Sequence, residues 1–338
     1  MSYELIFDNL RTSLRRDEMD GALLANVKIW TPSNQYLSSG SNFEVFSQLE
    51  SDNCQVIFQR ISDKSVVAST VIALSKGINR IEVPQRVPAA ANVIINVEGL
   101  RLNITPRRFG ATNLTNFRDV GGLPLLDGSN LDRNRYFRSE NLSRINQEDI
   151  AFFKELGISR IIDLRKDEEK AISPTPTELL NQMTVIESPI SSKIAGFEDG
   201  LEAILAKKIS AITAEDMTEM YLNILDEYSE TLIELAQSTI DYQDGATLIH
   251  CTAGKDRTGM LVALIQLAHG VEGQYIYHDY LLSNAYRTPY RMESLRPILS
   301  QNAIEVENFK PYLSAPLEAL DSIFEKLQNL ASKVTASE

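Results

Sequence analysis

The residues best suited to chemistry in this chain are a cysteine and an arginine in one short run, His250-Cys251-Thr252-Ala253-Gly254-Lys255-Asp256-Arg257-Thr258-Gly259. The run lies between Ala246–His250, which reads as a buried strand, and Thr258–His269, which reads as an apolar helix. A loop of this length, closed between strand end and helix start, turns its backbone N–H groups inward. Together with the first helical turn they form a cradle for an anion. Arg257 supplies a planar fork for two oxygens of a tetrahedral oxyanion. Cys251 at the bottom of that positive bowl is favoured as the thiolate, and a thiolate aimed at a bound phosphorus is a nucleophile for phosphoester cleavage. C-x5-R alone is common by chance; His250, Gly254, the Thr258-Gly259 pair and the strand–loop–helix setting give it weight.

The run HCTAGKDRTG resembles the active-site loop of cysteine-dependent protein tyrosine phosphatases. More narrowly, it is similar to the atypical tyrosine and phosphoinositide phosphatase family of bacteria and fungi, whose loop reads HCxxGKDRTG. Further stretches similar to that family stand in order around it: Asn116-Phe117-Arg118-Asp119-Val120-Gly121-Gly122, Phe137-Arg138-Ser139-Glu140 with Leu142-Ser143, Asp163-Leu164-Arg165, and Asp279-Tyr280-Leu281-Leu282-Ser283-Asn284. The resemblance spans roughly residues 110–300 and implies an α/β protein tyrosine phosphatase-like fold with a mostly parallel central sheet flanked by helices.

By that resemblance Cys251 forms a phosphocysteine, Arg257 grips the phosphoryl oxygens, and Thr258 steadies the thiolate when water cleaves the intermediate. Thr252, Ala253, Gly254 and Lys255 contact the substrate anion, Lys255 adding positive charge at the rim and tolerance of inositol lipids beside phosphotyrosine. His250 orients the loop and tunes the cysteine. The general acid is Asp256, next to the arginine. Some relatives carry an Asp after a Pro beyond the DLR strand, but Glu187-Ser188-Pro189-Ile190-Ser191-Ser192 has none, which leaves Asp199, after Glu198, as the alternative acid. Asn116, Arg118, Asp119 and Arg138 are expected to form a polar network behind the loop. Asp163 reads as structural, and Arg165 is open between support and function.

The elements that must position this loop fall into two parts. In residues 1–108, short runs rich in Val, Ile, Phe and Ser (GALLANVKIW, NFEVFSQLE, NCQVIFQRI, SVVASTVIAL, NRIEVPQ, ANVIINVEGLRLNI) alternate with polar turns and predict a small antiparallel sandwich, an accessory domain. Cys54 sits in one of its alternating strands and reads as core filler. From residue 109 to 338, strands alternate with helices: a helix opened by Asn146 and stopped by Gly157, a buried strand over Ile158–Leu164, an amphipathic helix with Met217, Met220, Tyr221, Ile224, Leu225 and Tyr228 on one face, and a last helix from Ser314 to about Ala331. This second part is the expected catalytic domain.

Composition narrows the function further. The net charge is −13, held almost wholly by residues 109–338, so nucleic acid and anionic lipid are repelled overall. No apolar run is long enough to span a membrane, and the N-terminus lacks the order of a secretory signal, so a cytoplasmic location is expected, with leaderless export open. Two cysteines, Cys54 and Cys251, give no disulfide framework. His269 and His278 lie too far apart for a metal site, thiolate chemistry needs no cofactor, and three Asn-x-Ser/Thr sequons at Asn103, Asn113 and Asn141 are incidental in that setting. The expected partners are phosphotyrosine proteins or phosphoinositide head groups, with phosphate or other oxyanions in the loop. The rival readings are an inositol-polyphosphate phosphatase with the same loop and a non-catalytic phosphate-binding adaptor. An arsenate reductase or sulfur transferase is disfavoured by the Arg257-Thr258 pair and the flanking stretches.

Overall fold

The computed structural model describes residues 29–30, 37–109, 112–191 and 204–335. Alternating burial builds its first part. In β3 (Ser51–Arg60), Cys54, Val56 and Phe58 point inward while their neighbours are more exposed. β3 pairs with β4 (Val66–Leu74) and β6 (Ala91–Val97), and β6 with β7 (Leu100–Asn103); β1 (Ile29–Trp30), β2 (Asn42–Ser47) and β5 (Gly77–Glu82) form a second antiparallel sheet. Phe43, Val45 and Ile81 of this second sheet share one core with Val56, Phe58, Val93 and Ile95 of the first. That arrangement is the sandwich expected from the sequence. Cys54 lies inside this core, where burial pushes its thiol up.

A five-stranded sheet organises the second part. Its strands are β8 (Arg118–Asp119), β9 (Tyr136–Ser139), β10 (Ile158–Asp163), β11 (Thr184–Glu187) and β12 (Ala246–His250), in the order β11-β10-β12-β9-β8. All neighbours run parallel except β8 against β9. One face is covered by α1 (Gln147–Glu155), with Ile150, Phe152 and Phe153 packed beside Phe109 and Phe117. Asn146 caps α1 in a capping box with Asp149, and Gly157 follows it at φ +77°, as the sequence signals required. Ile61 and Ala90 of the sandwich join this same apolar cluster. The other face carries α4 (Ala214–Asp241), α5 (Asp256–Ala268), α6 (Gly273–Tyr286) and α9 (Leu317–Thr335), after the short α2 (Asp167–Ile172) and α3 (Thr177–Leu180) and around α7 (Thr288–Gln301) and α8 (Lys310–Leu313).

α4 runs well beyond the stripe that predicted it and kinks at Tyr228, whose φ of −123° is not helical. α5 starts two residues earlier than its apolar pattern suggested. Asp256 and Arg257 are therefore in its first turn, where the unpaired helix N–H groups lie. The carboxyl ends of β9, β10, β11 and β12 all lie on one edge of the sheet, the edge at which open parallel sheets place their ligands. Among the described residues no helix is long and apolar enough to cross a membrane.

Candidate active site

Cys251 is the first residue beyond β12 and is 2% exposed. Its Sγ accepts a hydrogen bond from Gly254 N–H at 3.3 Å. The loop between them is held by its carbonyls. Asn141 donates from its backbone and its side chain to Thr252 O, both at 3.2 Å. Asn116 Nδ2 donates to Ala253 O at 3.2 Å and Gly254 O at 3.0 Å, and Arg138 Nη2 to Gly254 O at 2.7 Å. Because the C=O and N–H of a trans peptide point in opposite directions, tying the Ala253 carbonyl to Asn116 turns the amide that shares its peptide, Gly254 N–H, toward the sulfur. Gly254 makes the turn possible. It has φ +70°, and a Cβ there would stand 2.2 Å from the carbonyl oxygen of Ser139.

The holders are themselves held. Asp279 of α6 accepts from Arg138 Nη1 at 2.6 Å, from Arg118 Nε at 3.2 Å and from Arg107 Nη2. Arg118 also reaches Asn116 Oδ1 at 2.6 Å. Burial alone would raise the Asp279 carboxyl, but Arg118, Arg107 and Arg138 hold it well below the usual carboxylate range. Burial, and then the like charge of Arg138, push the Arg118 guanidinium down to about 9. The expected network thus contains Asn116, Arg118 and Arg138, while Asp119 turns away from the loop. Neighbouring strand residues face opposite sides, so Asp119 instead accepts from Gly121 N at 2.8 Å and Asn134 N at 3.1 Å. Burial pushes its carboxyl up.

His250 lies at the end of β12 with Nδ1 3.3 Å from Cys251 O and Nε2 3.6 Å from Asp163. Burial pushes it down to about 4 against the pull of Asp163, so it is neutral near pH 7 and acts on the loop by position. Arg165 forks onto Asp163 at 2.9 and 2.7 Å and ties down Ser173 O and Thr175. Its role is to fix the α2 segment.

That segment delivers Glu169, which the sequence reading did not single out. Its carboxylate takes both outer nitrogens of Arg257, at 2.7 and 2.6 Å, and accepts from Thr252 Oγ1. Arg257 also donates to Leu164 O at 3.1 Å and Ile190 O at 3.2 Å. Burial works against both charges, and their mutual hydrogen bonds win, taking Glu169 down to about 2 and Arg257 up. Three acids, Asp167, Glu168 and Glu169, stand in a row; only a helical register could have chosen among them.

Asp256 opens α5 with Oδ1 2.7 Å from Tyr221 Oη and 2.8 Å from Lys255 Nζ. Lys255 was expected at the rim, but it is drawn in to 3% exposure. The Asp256 carboxylate and the ring of Tyr312, 5.6 Å from Nζ, compensate its charge there. Thr258 is fully buried, and its Oγ1 has no hydrogen-bond partner among the described residues. Glu198 and Asp199, the alternative source of an acid, lie outside the described residues.

Residues 110–335 match the model of a family described as the tyrosine phosphatase family. A Cupriavidus necator protein with a provisional tyrosine-protein phosphatase name is 27% identical over 226 residues, which cover 64% of this chain and 80% of that protein. A tyrosine-protein phosphatase of Nostoc commune is 31% identical over 151 residues, 45% of this chain and 49% of that one. A Mycobacterium tuberculosis protein named as a triple specificity protein phosphatase is 28% identical over 188 residues, 50% of this chain and 66% of that one.

Proposed function

The chain belongs to the tyrosine phosphatase family and is a protein tyrosine phosphatase-like enzyme; from that premise we propose that it hydrolyses phosphoric monoesters through a phosphocysteine on Cys251, with phosphotyrosine as its first substrate. The observation that carries this is the loop itself. Its carbonyls are tied outward to Asn116, Arg138 and Asn141, and an amide bonds the cysteine sulfur. A preorganised ring of N–H donors is worth most where negative charge develops in the transition state.

In the first step the Cys251 thiolate attacks phosphorus, the bond from phosphorus to the tyrosine oxygen breaks, and Asp256 gives its proton to that oxygen. In the second, water attacks phosphorus, the P–S bond breaks, and the proton released by water returns to the Asp256 carboxylate. Arg257 neutralises the equatorial oxygens in both steps. The unpartnered Thr258 hydroxyl donates to the sulfur as it leaves.

The charge of the chain supports ranking phosphotyrosine ahead of inositol lipids, since a net charge of −13 opposes docking at an anionic surface. We assign residues 1–108 as an accessory domain; its described strands share a core of their own, while Ile61 and Ala90 pack with the second part and Arg107 reaches Asp279 behind the loop. The test uses rapid acid quench of the wild type with 32P-labelled phosphotyrosine peptide. Label stable to acid and lost in Cys251→Ser supports the intermediate; turnover that survives Cys251→Ser or Arg257→Ala overturns it. A parallel panel of phosphoinositide vesicles and soluble inositol phosphates ranks the substrates, and binding of phosphopeptide without turnover would identify an adaptor instead.

A further inference from the structure

Two buried tyrosines connect Asp256 to the interior. Tyr221 of α4 lies on the stripe that the sequence assigns to core, yet its hydroxyl is 2.7 Å from Asp256 Oδ1 and 2.6 Å from the hydroxyl of Tyr280 on α6. The Tyr280 hydroxyl in turn lies 3.1 Å from the carbonyl oxygen of Pro316, one residue before α9. Both rings are buried and meet edge to face. Burial, and then the Asp256 charge, push both hydroxyls up, so each keeps its proton.

This chain has three links and only two hydroxyl protons. When Asp256 is a carboxylic acid it supplies the third proton. Asp256 then donates to Tyr221, Tyr221 to Tyr280, and Tyr280 to Pro316 O, and every link is filled. When Asp256 is a carboxylate it accepts from Tyr221, and the one remaining proton, that of Tyr280, is shared between two acceptors, Tyr221 and Pro316 O. Turned to Tyr221, it completes a chain that runs back to Asp256 and withdraws the Tyr280 hydroxyl from Pro316 O. Other charged and titratable groups face this path. Lys255 Nζ lies 2.8 Å from the Asp256 carboxylate, and Arg257 and the Tyr312 hydroxyl of α8 sit within its field. Arg138 and Glu318 face Tyr280.

We propose that Tyr221 and Tyr280 form a two-hydroxyl relay whose direction follows the proton on Asp256. The relay holds the proton of the acid toward Tyr221; that proton swings from Tyr221 to the leaving oxygen and is transferred there, and Tyr221 then reverses to donate to the carboxylate. Both tyrosines are positioning residues, and the proposal rests on Asp256 being the general acid.

The two hydroxyls have opposite consequences when removed. In Tyr280→Phe the Tyr221 proton has only Asp256 to bond, which favours the carboxylate and moves the basic limb of kcat/KM to lower pH. In Tyr221→Phe the carboxylate loses a charge-assisted donor, the stronger of the two bonds at stake, and the limb moves to higher pH. Each shift is expected to be about one pH unit, as a hydrogen bond to a charged group can supply. The experiment records kcat/KM against pH for phenyl phosphate, whose poor leaving group needs the acid, with urea midpoints to confirm folding. Shifts in the same direction, or none, overturn the relay.

Asp256→Asn keeps the two failures apart. A basic limb that survives that substitution sinks the acid assignment, whereas a limb that vanishes there but stays fixed in both tyrosine variants sinks the relay alone. A measurement on wild type labelled with 3-fluorotyrosine needs no truncation. Fluorine resonances that titrate together with the basic limb support the relay, and a spectrum in which none does so overturns it.

Discussion

Glu169 and Arg257 meet fork to fork, with Oε2 2.7 Å from Nη1 and Oε1 2.6 Å from Nη2. The carboxylate also accepts the hydroxyl of Thr252, the first loop residue after the nucleophile. One side chain from α2 thus sets the plane of the guanidinium and the entry to the loop together. A planar fork matched by a carboxylate cannot rotate without losing both bonds.

Glu169→Gln should therefore lower kcat/KM by about 10²-fold, the scale of loss when a positioning contact lets a reacting group move by an ångström. It should also change the acid stability. Glu169 falls from 4.5 to about 2 on folding. Its contribution, on the order of 3 kcal/mol, is fully present above about pH 4.5 and is lost as pH falls toward 2. Urea midpoints of wild type and Glu169→Gln should differ near pH 7 and converge only as pH approaches 2. A constant gap across that range would disprove the account.

His250 gives a second pH effect in a different window. Burial takes it from 6.5 to about 4, so the folded protein holds the neutral ring and the unfolded chain protonates first. Its stabilising contribution is complete above pH 6.5 and fades as pH falls through 4. The C2 proton resonance of His250, assigned with His250→Gln, should titrate near 4. A midpoint near 6.5 would show that the ring is not shielded as described.

The cysteine loop and the layers that carry it were legible because their signals are local. C-x5-R between an apolar strand and an apolar helix marks the cradle, alternation in β3 marks the sandwich, and the stripe from Met217 to Tyr228 marks α4. The missing parts depend on register and on contacts distant in sequence. β8, β9 and β11 are only two to four residues long, too short to show a period. Glu169 is one acid in a row of three, and Tyr221 hides a polar tip on an apolar stripe. Lys255 looks solvated in a loop sequence, and only the fold brings Asp256 and Tyr312 around it. Arg107, at the end of the sandwich part, reaches an aspartate 172 positions away.

Gly254→Ala should be severe for a reason that side-chain rearrangement cannot relieve. The new Cβ would stand 2.2 Å from Ser139 O, 2.4 Å from its carbonyl carbon and 2.6 Å from Glu140 N, all backbone atoms, at a φ of +70°. A loss of about 2–4 kcal/mol is expected from strain and overpacking together, with turnover reduced by more than about 10²-fold. Thermal melting and aryl phosphate turnover check both; near wild-type turnover would mean that the amide ring does not depend on this turn.

Asp279 is a carboxylate shared by three buried guanidiniums, Arg107, Arg118 and Arg138. Removing its charge leaves like charges in low dielectric, so Asp279→Asn should cost about 3–5 kcal/mol. It should also release Arg138 from the carbonyl of Gly254, lowering kcat along with stability. Repulsion makes a further, sharper claim. Arg107→Met alone should destabilise, because Asp279 and the carbonyl of Asp119 lose a donor. In the Asp279→Asn background the same change removes one uncompensated positive charge and should cost less, or restore stability. The double-mutant cycle from urea unfolding should therefore be non-additive by about 1–3 kcal/mol in the rescuing direction. Strict additivity would show that the three arginines are not coupled through this aspartate, and that something else holds the back of the loop.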